Sequence, residues 1–473
     1  MTTYITTAIP YVNAEPHLGH ALELVQADVL ARHRRLRGGR AHLLTGTDDN
    51  AVKNVTAARA AGVTVREFVD ANAARFAALH APLGLSVDDF IRTSADRRHL
   101  DGVRRLWLAS AARDDFYLRE YEGLYCAGCE QFYREDELSG GRCPEHGVPP
   151  EPVRERNWFF RLSRYTDRLL DLLESGGLRV EPAARRNEVL AFVRAGLSDI
   201  SVSRPAARSG GWGIPVPGDP DQVVYVWWDA LANYLTANPA LWAGATERVH
   251  VIGKGILRFH AVHWPALLLS AGERLPDTVF VHDYLTAGGA KIAKSAGDAV
   301  RPLDLVDRYG ADAVRWWLLR EVAPLGDTDF TEARLLARAD AELANGLGNL
   351  VNRVLALAHR SRGGRISPAA PLPEVVALPA EVDAALARFD FRAATAALFE
   401  VVAAANRYVE HARPWALAGA DRDEVLGTAV RTCRALAVEL GPFLPHGSAR
   451  LRAQLGAGGT TSPPAPVFPR LAP

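Results

Sequence analysis

Lysine is almost absent. Only Lys53, Lys254, Lys291 and Lys294 occur, so 51 of the 55 Lys and Arg residues are arginine (55 − 4). A lysine that survives such replacement is a candidate for a place where a compact ammonium differs from a planar guanidinium. Chance survival is an equal reading for Lys53 and Lys254. For Lys291 and Lys294, three apart in a Gly-rich stretch, a site is the better one. Net charge is absent too, since 55 Lys and Arg balance 55 Asp and Glu. That excludes a globally basic nucleic-acid binder and leaves only a local basic face. Four cysteines in 473 residues make no disulfide framework, which predicts a cytoplasmic protein. No long apolar run is present, which excludes a membrane-spanning helix. The opening MTTYITTAIPYVN has neither the basic region nor the apolar run of a secretory signal. Methionine is confined to Met1, which coding bias explains in part. No internal repeat is found, so a solenoid or propeller is excluded.

What is present begins as strand, turn and helix. Tyr4 to Ile9 is β-rich and Pro10 to Pro16 is turn-rich. A helical pattern runs from Leu18 to Arg37, with Leu22, Val25 and Val29 on one stripe, and Gly38-Gly39 stops it. Leu43-Leu44-Thr45 reads as the next strand. This βαβ opening predicts a parallel sheet. From Phe116 to Gly147 the texture turns short, aromatic and cysteine-bearing, as in an inserted module. Further α/β signals return at Val223–Trp227, Val249–Ile252 and Val279–Val281. From Asp329 the chain is Ala/Leu/Arg-rich and helical. Gly456 to Pro473 reads as an irregular tail.

Three constellations carry chemistry. Cys126-x-x-Cys129 and Cys143-x-x-His146 form a Cys3His set with zinc-ligand spacing, and four protein ligands imply a structural ion rather than a catalytic one. A degenerate knuckle that folds without metal is the alternative. His17-Leu18-Gly19-His20 sits where the first strand hands over to the first helix. There the helix N-terminus offers an anion site and Gly19 permits close approach of a ligand. Two imidazoles on one face donate to phosphate oxygens, while capping or core packing is the bland reading. Lys291-Ile-Ala-Lys294-Ser295 follows Gly288-Gly289-Ala290, a flexible loop whose two ammoniums suit a departing polyphosphate. A solvated basic turn is the alternative.

The two latter motifs resemble the paired signatures of class I aminoacyl-tRNA synthetases. The stretches TTAIPYVNAEPHLGHA, RRNEVLAFV, WGIPVPGD, YVWWDAL, HVIGKGILRFHAVHWPA, RYGADAVRWWLLRE and NGLGNLVNRVLALAHR, with the Cys3His knuckle, look like the methionyl-tRNA synthetase family. The resemblance spans roughly residues 3 to 455. It implies a Rossmann-like parallel-sheet catalytic domain in two halves, 1–115 and 223–300, around a connective module with zinc knuckle at 116–222. A stem-contact linker at 301–340, a helical-bundle anticodon-binding domain at 341–455 and an irregular tail at 456–473 follow.

The resemblance also implies an activity: ATP-dependent attachment of methionine to its tRNA through an aminoacyl-adenylate, with Mg2+ and a structural Zn2+. His17 and His20 would hold ATP phosphate, with Gly19, Gly253 and Ser295 also at the nucleotide. Lys291 and Lys294 would stabilise departing pyrophosphate. Asp48 would receive the substrate ammonium. Ile9, Tyr11, Trp227, Ala230, Leu231, Tyr234, Ile256 and His260 would line the methionine pocket, since aromatic and aliphatic walls suit a flexible thioether. Asn345, Asn349 and Arg353, spaced i, i+4, i+8 on one outward helical stripe, and Trp415 would read the anticodon through base edges and stacking. An ordinary solvated face is the alternative for that stripe. The expected partners are methionine, ATP and a methionine tRNA, with no membrane. A monomer is expected.

Three signatures depart from the family. After Thr45-Gly-Thr-Asp48 the family usually continues Glu-His-Gly, and here Asp49-Asn50-Ala51 stands. The usual Gly-Lys-Asp is Gly253-Lys254-Gly255, which removes a carboxylate expected at the ribose of ATP. The usual Lys-Met-Ser-Lys-Ser has Ile292 and Ala293 at its second and third positions. A diverged paralogue that activates another amino acid for a biosynthetic acceptor, and a non-catalytic tRNA-binding protein, stay open as alternatives.

Overall fold

A computed structural model gives the fold, and it describes residues 1–126, 131–144, 147–292 and 300–471. Two compact units arise, and both are discontinuous in sequence. The first comprises Met1–Glu15, His42–Ala78 and Val87–Val281. The second comprises Pro16–Ala41, Leu79–Ser86 and His282–Pro473.

The first unit is built on a six-stranded sheet. Its strands are β1 (Thr2–Thr7), β2 (Arg40–Thr47), β3 (Asp89–Arg92), β4 (Arg179–Glu181), β5 (Glu247–Gly253) and β6 (Thr278–His282), in the order β3-β2-β1-β5-β6-β4. The pairs β1–β5, β2–β3 and β6–β4 are parallel, as the βαβ opening predicts. β1 and β5 carry almost wholly buried runs, the pattern of strands covered on both faces. Strand order reverses between β1 and β5, and ligands of open α/β sheets bind beyond the carboxyl ends of the strands at such a reversal. Gly46 is required within β2, because a Cβ there would lie 2.1 Å from the Ile91 carbonyl oxygen of β3.

Between β3 and β4 the chain forms helix α2 (Arg97–Ala111) and an antiparallel sheet. In that sheet Phe116–Cys126 runs against Glu151–Phe160, with Gln131–Tyr133 and Ile200–Ser201 at its edges. Residues 116–222 are therefore not one structural piece, since β4 lies among them and pairs with β6. Of the three later α/β signals, Val249–Ile252 and Val279–Val281 fall in β5 and β6. Val223–Trp227 does not form a sheet strand throughout. Asp219–Val224 is antiparallel in a separate three-stranded sheet, and helix α3 (Val226–Thr236) starts two residues later. Every α3 residue except Trp227 is buried, so its polar stripe of Asp229, Asn233 and Thr236 is turned inward and no solvated face marks the helix.

The second unit is helical, as expected. Its helices include α1 (Leu18–Leu36), Ala311–Arg320, Asn349–Arg362, Pro373–Leu386, Phe391–Ala412, Gly419–Glu439 and Pro445–Leu455. The stretch Ala339–Gly348, expected as ordinary α-helix, is wound as a π-helix. Arg315 explains why α1 belongs here. Its guanidinium is fully buried, 2.8 Å from Asp28 of α1, and donates to the carbonyls of Leu83, Pro442 and Phe443 at 3.1, 2.9 and 2.8 Å. A buried cation persists only when it is paired and hydrogen-bonded in this way. The tail from Gly456 is irregular, yet it is pinned: Val467 and Phe468 are buried, and Arg470 donates to Asn345 at 2.9 Å.

Candidate active site

Past the end of β1 the chain stays extended beside the end of β2. The Asp48 N–H donates to the Pro10 carbonyl at 2.9 Å, and Tyr11 forms an isolated parallel bridge with Asp48. In that register Tyr11 and Asp48 stand side by side. Asp48 is 1% exposed, and its Oδ1 accepts the Asn50 N–H at 3.3 Å. Its neighbour Asp49 plays another part. It takes Arg92 at 2.9 Å and the hydroxyls of Thr47 and Ser94 at 2.8 Å each, which locks β2 to β3. Burial outweighs these partners and holds the Asp49 carboxyl above its ordinary range.

An aromatic wall adjoins this carboxylate. Trp227 lies 6.0 Å from Tyr11, ring to ring, and stacks on Phe259 at 3.7 Å and 14°. Trp227, Ala230, Leu231 and Tyr234 are spaced i, i+3, i+4, i+7 and so share one face of α3. Leu231 and Tyr234 belong to one apolar cluster, with Trp227 and Ile256 packed against it. Ile9 is half-buried in the loop after β1, and Ala230 is buried on α3. Gly253 ends β5 and opens the short turn Lys254–Ile256, at whose tip Gly255 is exposed.

Two buried histidines have their tautomers fixed by their neighbours. His260 Nδ1 meets the Ile256 carbonyl at 2.9 Å and must donate to it, so Nε2 accepts from the Tyr234 hydroxyl at 2.6 Å. His250 Nε2 accepts from the Trp264 indole at 3.2 Å, so Nδ1 donates to Thr6 at 2.6 Å. Burial pushes His260 down to about 4 and His250 well below its ordinary value, and both rings are neutral. Phe259–His263 is a short π-helical turn, the kind of distortion that recurs at functional sites, and it seats His260 under α3.

The second unit holds the phosphate candidates. His17 caps α1, and its Nδ1 accepts the Gly19 N–H at 3.1 Å. His20 Nδ1 accepts the His17 N–H at 3.0 Å, and the two rings stack at 3.7 Å. This is a capping box made of histidines. Backbone N–H groups only donate, so both Nδ1 atoms are acceptors and each ring carries its proton on Nε2. Capping and phosphate binding are therefore compatible, because the cap uses the acceptor nitrogen of each ring and a phosphate oxygen needs the donor. Gly19 leaves room for the His17 ring folded over it, since a Cβ would lie 3.0 Å away and push the ring by a few tenths of an ångström.

Lys291 ends a two-residue strand paired with Leu285–Ala287. Its side chain, and all of Lys294 and Ser295, lie outside the described residues. The base of that loop is anchored by Asp329, which accepts from Gly289 N–H at 3.0 Å and Thr286 at 2.7 Å. Beyond the loop, the Val300 carbonyl accepts the N–H of Leu18 at 3.0 Å, so the chain leaving the lysines returns to the histidine cap.

Of the zinc candidates, Cys129 and His146 lie outside the described residues. Cys126 and Cys143 are both buried, unlinked, and packed in one cluster against Tyr133. The Gly147 N–H donates to the Cys143 carbonyl at 2.8 Å, a knuckle-like turn. Two buried thiols gathered in one cluster fit half of a tetrahedral sulfur site. In the helical unit Asn345 and Asn349 are exposed and Trp415 is 50% exposed. Arg353 is half-buried and turned toward the helix Phe391–Ala412, 3.4 Å from Glu410 and 3.2 Å from Asn406.

Two features escaped sequence reasoning. One is a buried network in which Asp229 of α3 joins Asn50 and His99. Its only sequence signal is a lone carboxylate inside an apolar helix. The other is Arg204, buried with its guanidinium 3.7 Å over the Tyr225 ring; its Nε and Nη2 find no hydrogen-bond partner among the described residues.

A family model described as tRNA synthetases class I (M) matches residues 3–150 and 146–355, which places the fold and its histidine-capped helix among the class I tRNA synthetases. The methionine–tRNA ligase of Brucella suis biovar 1 is 42% identical over 99% of this chain and 97% of its own length. That of Rhizobium meliloti is 39% identical over 99% and 98%. The solved methionyl-tRNA synthetase of Mycobacterium tuberculosis bound by methionyl-adenylate superimposes with a TM-score of 0.91. It is 35% identical and covers 99% of this chain and 100% of that one. The chain belongs to the methionine–tRNA ligase family.

Proposed function

We propose that this chain activates methionine with ATP, brought as its Mg2+ complex, and transfers it to a methionine tRNA. The observation that carries this reading is the buried Asp48 carboxylate set beside the Tyr11–Trp227–Phe259 wall. One charge for the ammonium and apolar surface for the side chain are what an unbranched thioether amino acid needs. Ile9, Ala230, Leu231, Ile256 and the Tyr234–His260 pair complete the pocket.

The methionine carboxylate attacks the α-phosphorus of ATP, and the bond to pyrophosphate breaks. His17 and His20 donate from Nε2 to phosphate oxygens. Neutral imidazoles do this without charge neutralisation, so the leaving pyrophosphate relies on the ammoniums of Lys291 and Lys294, with Ser295 beside them. A ribose hydroxyl of the tRNA then attacks the adenylate carbonyl and releases AMP. Gly253 lets the nucleotide approach the end of β5. The helical region 341–455 reads the anticodon with Asn345, Asn349, Arg353 and Trp415, after a stem-contact linker at 301–340. Cys126, Cys129, Cys143 and His146 hold one zinc, which organises the antiparallel part of the connective region 116–222 and takes no part in the chemistry. The working state is a cytoplasmic monomer.

ATP–pyrophosphate exchange with a panel of amino acids tests this reading. Exchange with methionine is expected. Exchange with another amino acid alone would make the chain a paralogue with a different substrate, and no exchange would leave a tRNA-binding protein.

A further inference from the structure

We propose that Asn50 is a positioning residue for Asp48, aiming the carboxylate that receives the substrate ammonium by tying it to helix α3; this rests on the reading of Asp48 given above. Asn50 is buried one turn past β2. Its backbone N–H donates to Asp48 Oδ1 at 3.3 Å, and its side-chain Nδ2 donates to Asp229 Oδ2 at 2.6 Å. The other oxygen of Asp229 meets His99 Nε2, and His99 Nδ1 lies 2.8 Å from the Thr236 hydroxyl. Asn54 braces the same turn from its far side, donating to the carbonyls of Asp48 and Asp49 at 3.1 and 2.9 Å.

The direction of the Asn50 N–H, and so the setting of the Asp48 carboxylate, therefore depends on a side chain anchored in α3. That helix also carries Trp227, Ala230, Leu231 and Tyr234. One hydrogen bond thus registers the charged end of the pocket against its apolar wall. The residue type matters. An amide donates at every pH and brings no charge, whereas a cation here would compete with the ammonium for Asp48. The ionisable groups facing this turn are Asp229 of α3, His99 of α2, and Asp48 and Asp49 after β2. Arg92 is already held by Asp49, and Lys53 sits 5.1 Å over the Tyr11 ring.

Asn50→Asp tests the arrangement within one protein. Two carboxyls at this separation share a proton at low pH and still hydrogen-bond; once it leaves they repel. Methionine affinity by equilibrium dialysis is expected within about threefold of wild type at about pH 6 and about tenfold weaker at about pH 8. Wild type should not show that change, and the ATP KM in pyrophosphate exchange should stay within about twofold at both pH values. Asn50→Ala should be about tenfold weaker at both. It also decides the matter if thermal melts show the Asp variant unfolded at the higher pH. Asp48→Asn separates the two claims. If it binds methionine like wild type, the reading of Asp48 fails. If it weakens binding while both Asn50 variants bind like wild type throughout, the positioning role of Asn50 fails.

Discussion

The hydroxyl of Tyr234 donates to Nε2 of His260 at 2.6 Å, while Nδ1 of the same ring donates to the Ile256 carbonyl at 2.9 Å. In the neutral ring one nitrogen donates and the other accepts, and burial favours that form. A second proton would reverse the bond, so that Nε2 donates to the tyrosine oxygen, and would place a charge out of reach of solvent.

This gives a pH dependence of stability. His260 titrates at about 4 in the fold and near its ordinary value of 6.5 when unfolded. The unfolded chain therefore binds more protons in that window, and stability is full above about 6.5 and lost as pH falls toward 4. The loss is at most about 3 kcal/mol for this ring. His263, also held at about 4 by burial, adds to it. Thermal melts between these limits should fall with pH in wild type and fall less in His260→Gln. A parallel decline in both would assign the effect to other groups.

His20→Ala removes an acceptor from the α1 cap and a donor from the phosphate site. The lost cap should cost about 1 kcal/mol of stability. The lost donor should slow adenylate formation by about 2–4 kcal/mol, with little change in methionine KM. Rates matching wild type in single-turnover activation would remove His20 from the nucleotide site.

Cys143→Ser should release zinc and loosen the segment from Phe116 to Phe160, leaving the six-stranded sheet folded. Elemental analysis of the wild type is expected to give one zinc per chain. An ordered module with no metal would refute the assignment.

Trp415 stands half in solvent just beyond the helix Phe391–Ala412. Its replacement by Ala should weaken methionine-tRNA binding by about 1–3 kcal/mol, the scale of one lost base stack, without altering methionine activation. Equal affinity of the two proteins in filter binding would return Trp415 to the ordinary surface.

Much of this was legible in the sequence, because the signals are local. β1, β2, β5 and β6 announce themselves as buried β-rich runs, whereas Trp227, Ala230, Leu231 and Tyr234 were reached only through the family resemblance. Val226–Thr236 misleads because a helix buried on every side has the composition of a strand. The contact of Asn50 with Asp229 and His99 was not legible, since three residues on three elements meet only through the sheet topology. Nor was the tautomer of His17 or His20, which depends on which backbone N–H reaches each ring. The wide π-helical turn at Ala339–Gly348 leaves the apolar pattern almost unchanged and so escapes periodicity.

The buried pair of Asp28 and Arg315 sets a timetable for the growing chain. Helix α1 emerges early from the ribosome with Arg32 already able to pair with Asp28, but the second, fully buried guanidinium of Arg315 emerges only after the whole sheet has been made. Until then α1 lacks that second partner. Fragments ending near residue 300 should therefore attract chaperones and proteases at α1 first, and supplying the missing half in trans should protect them.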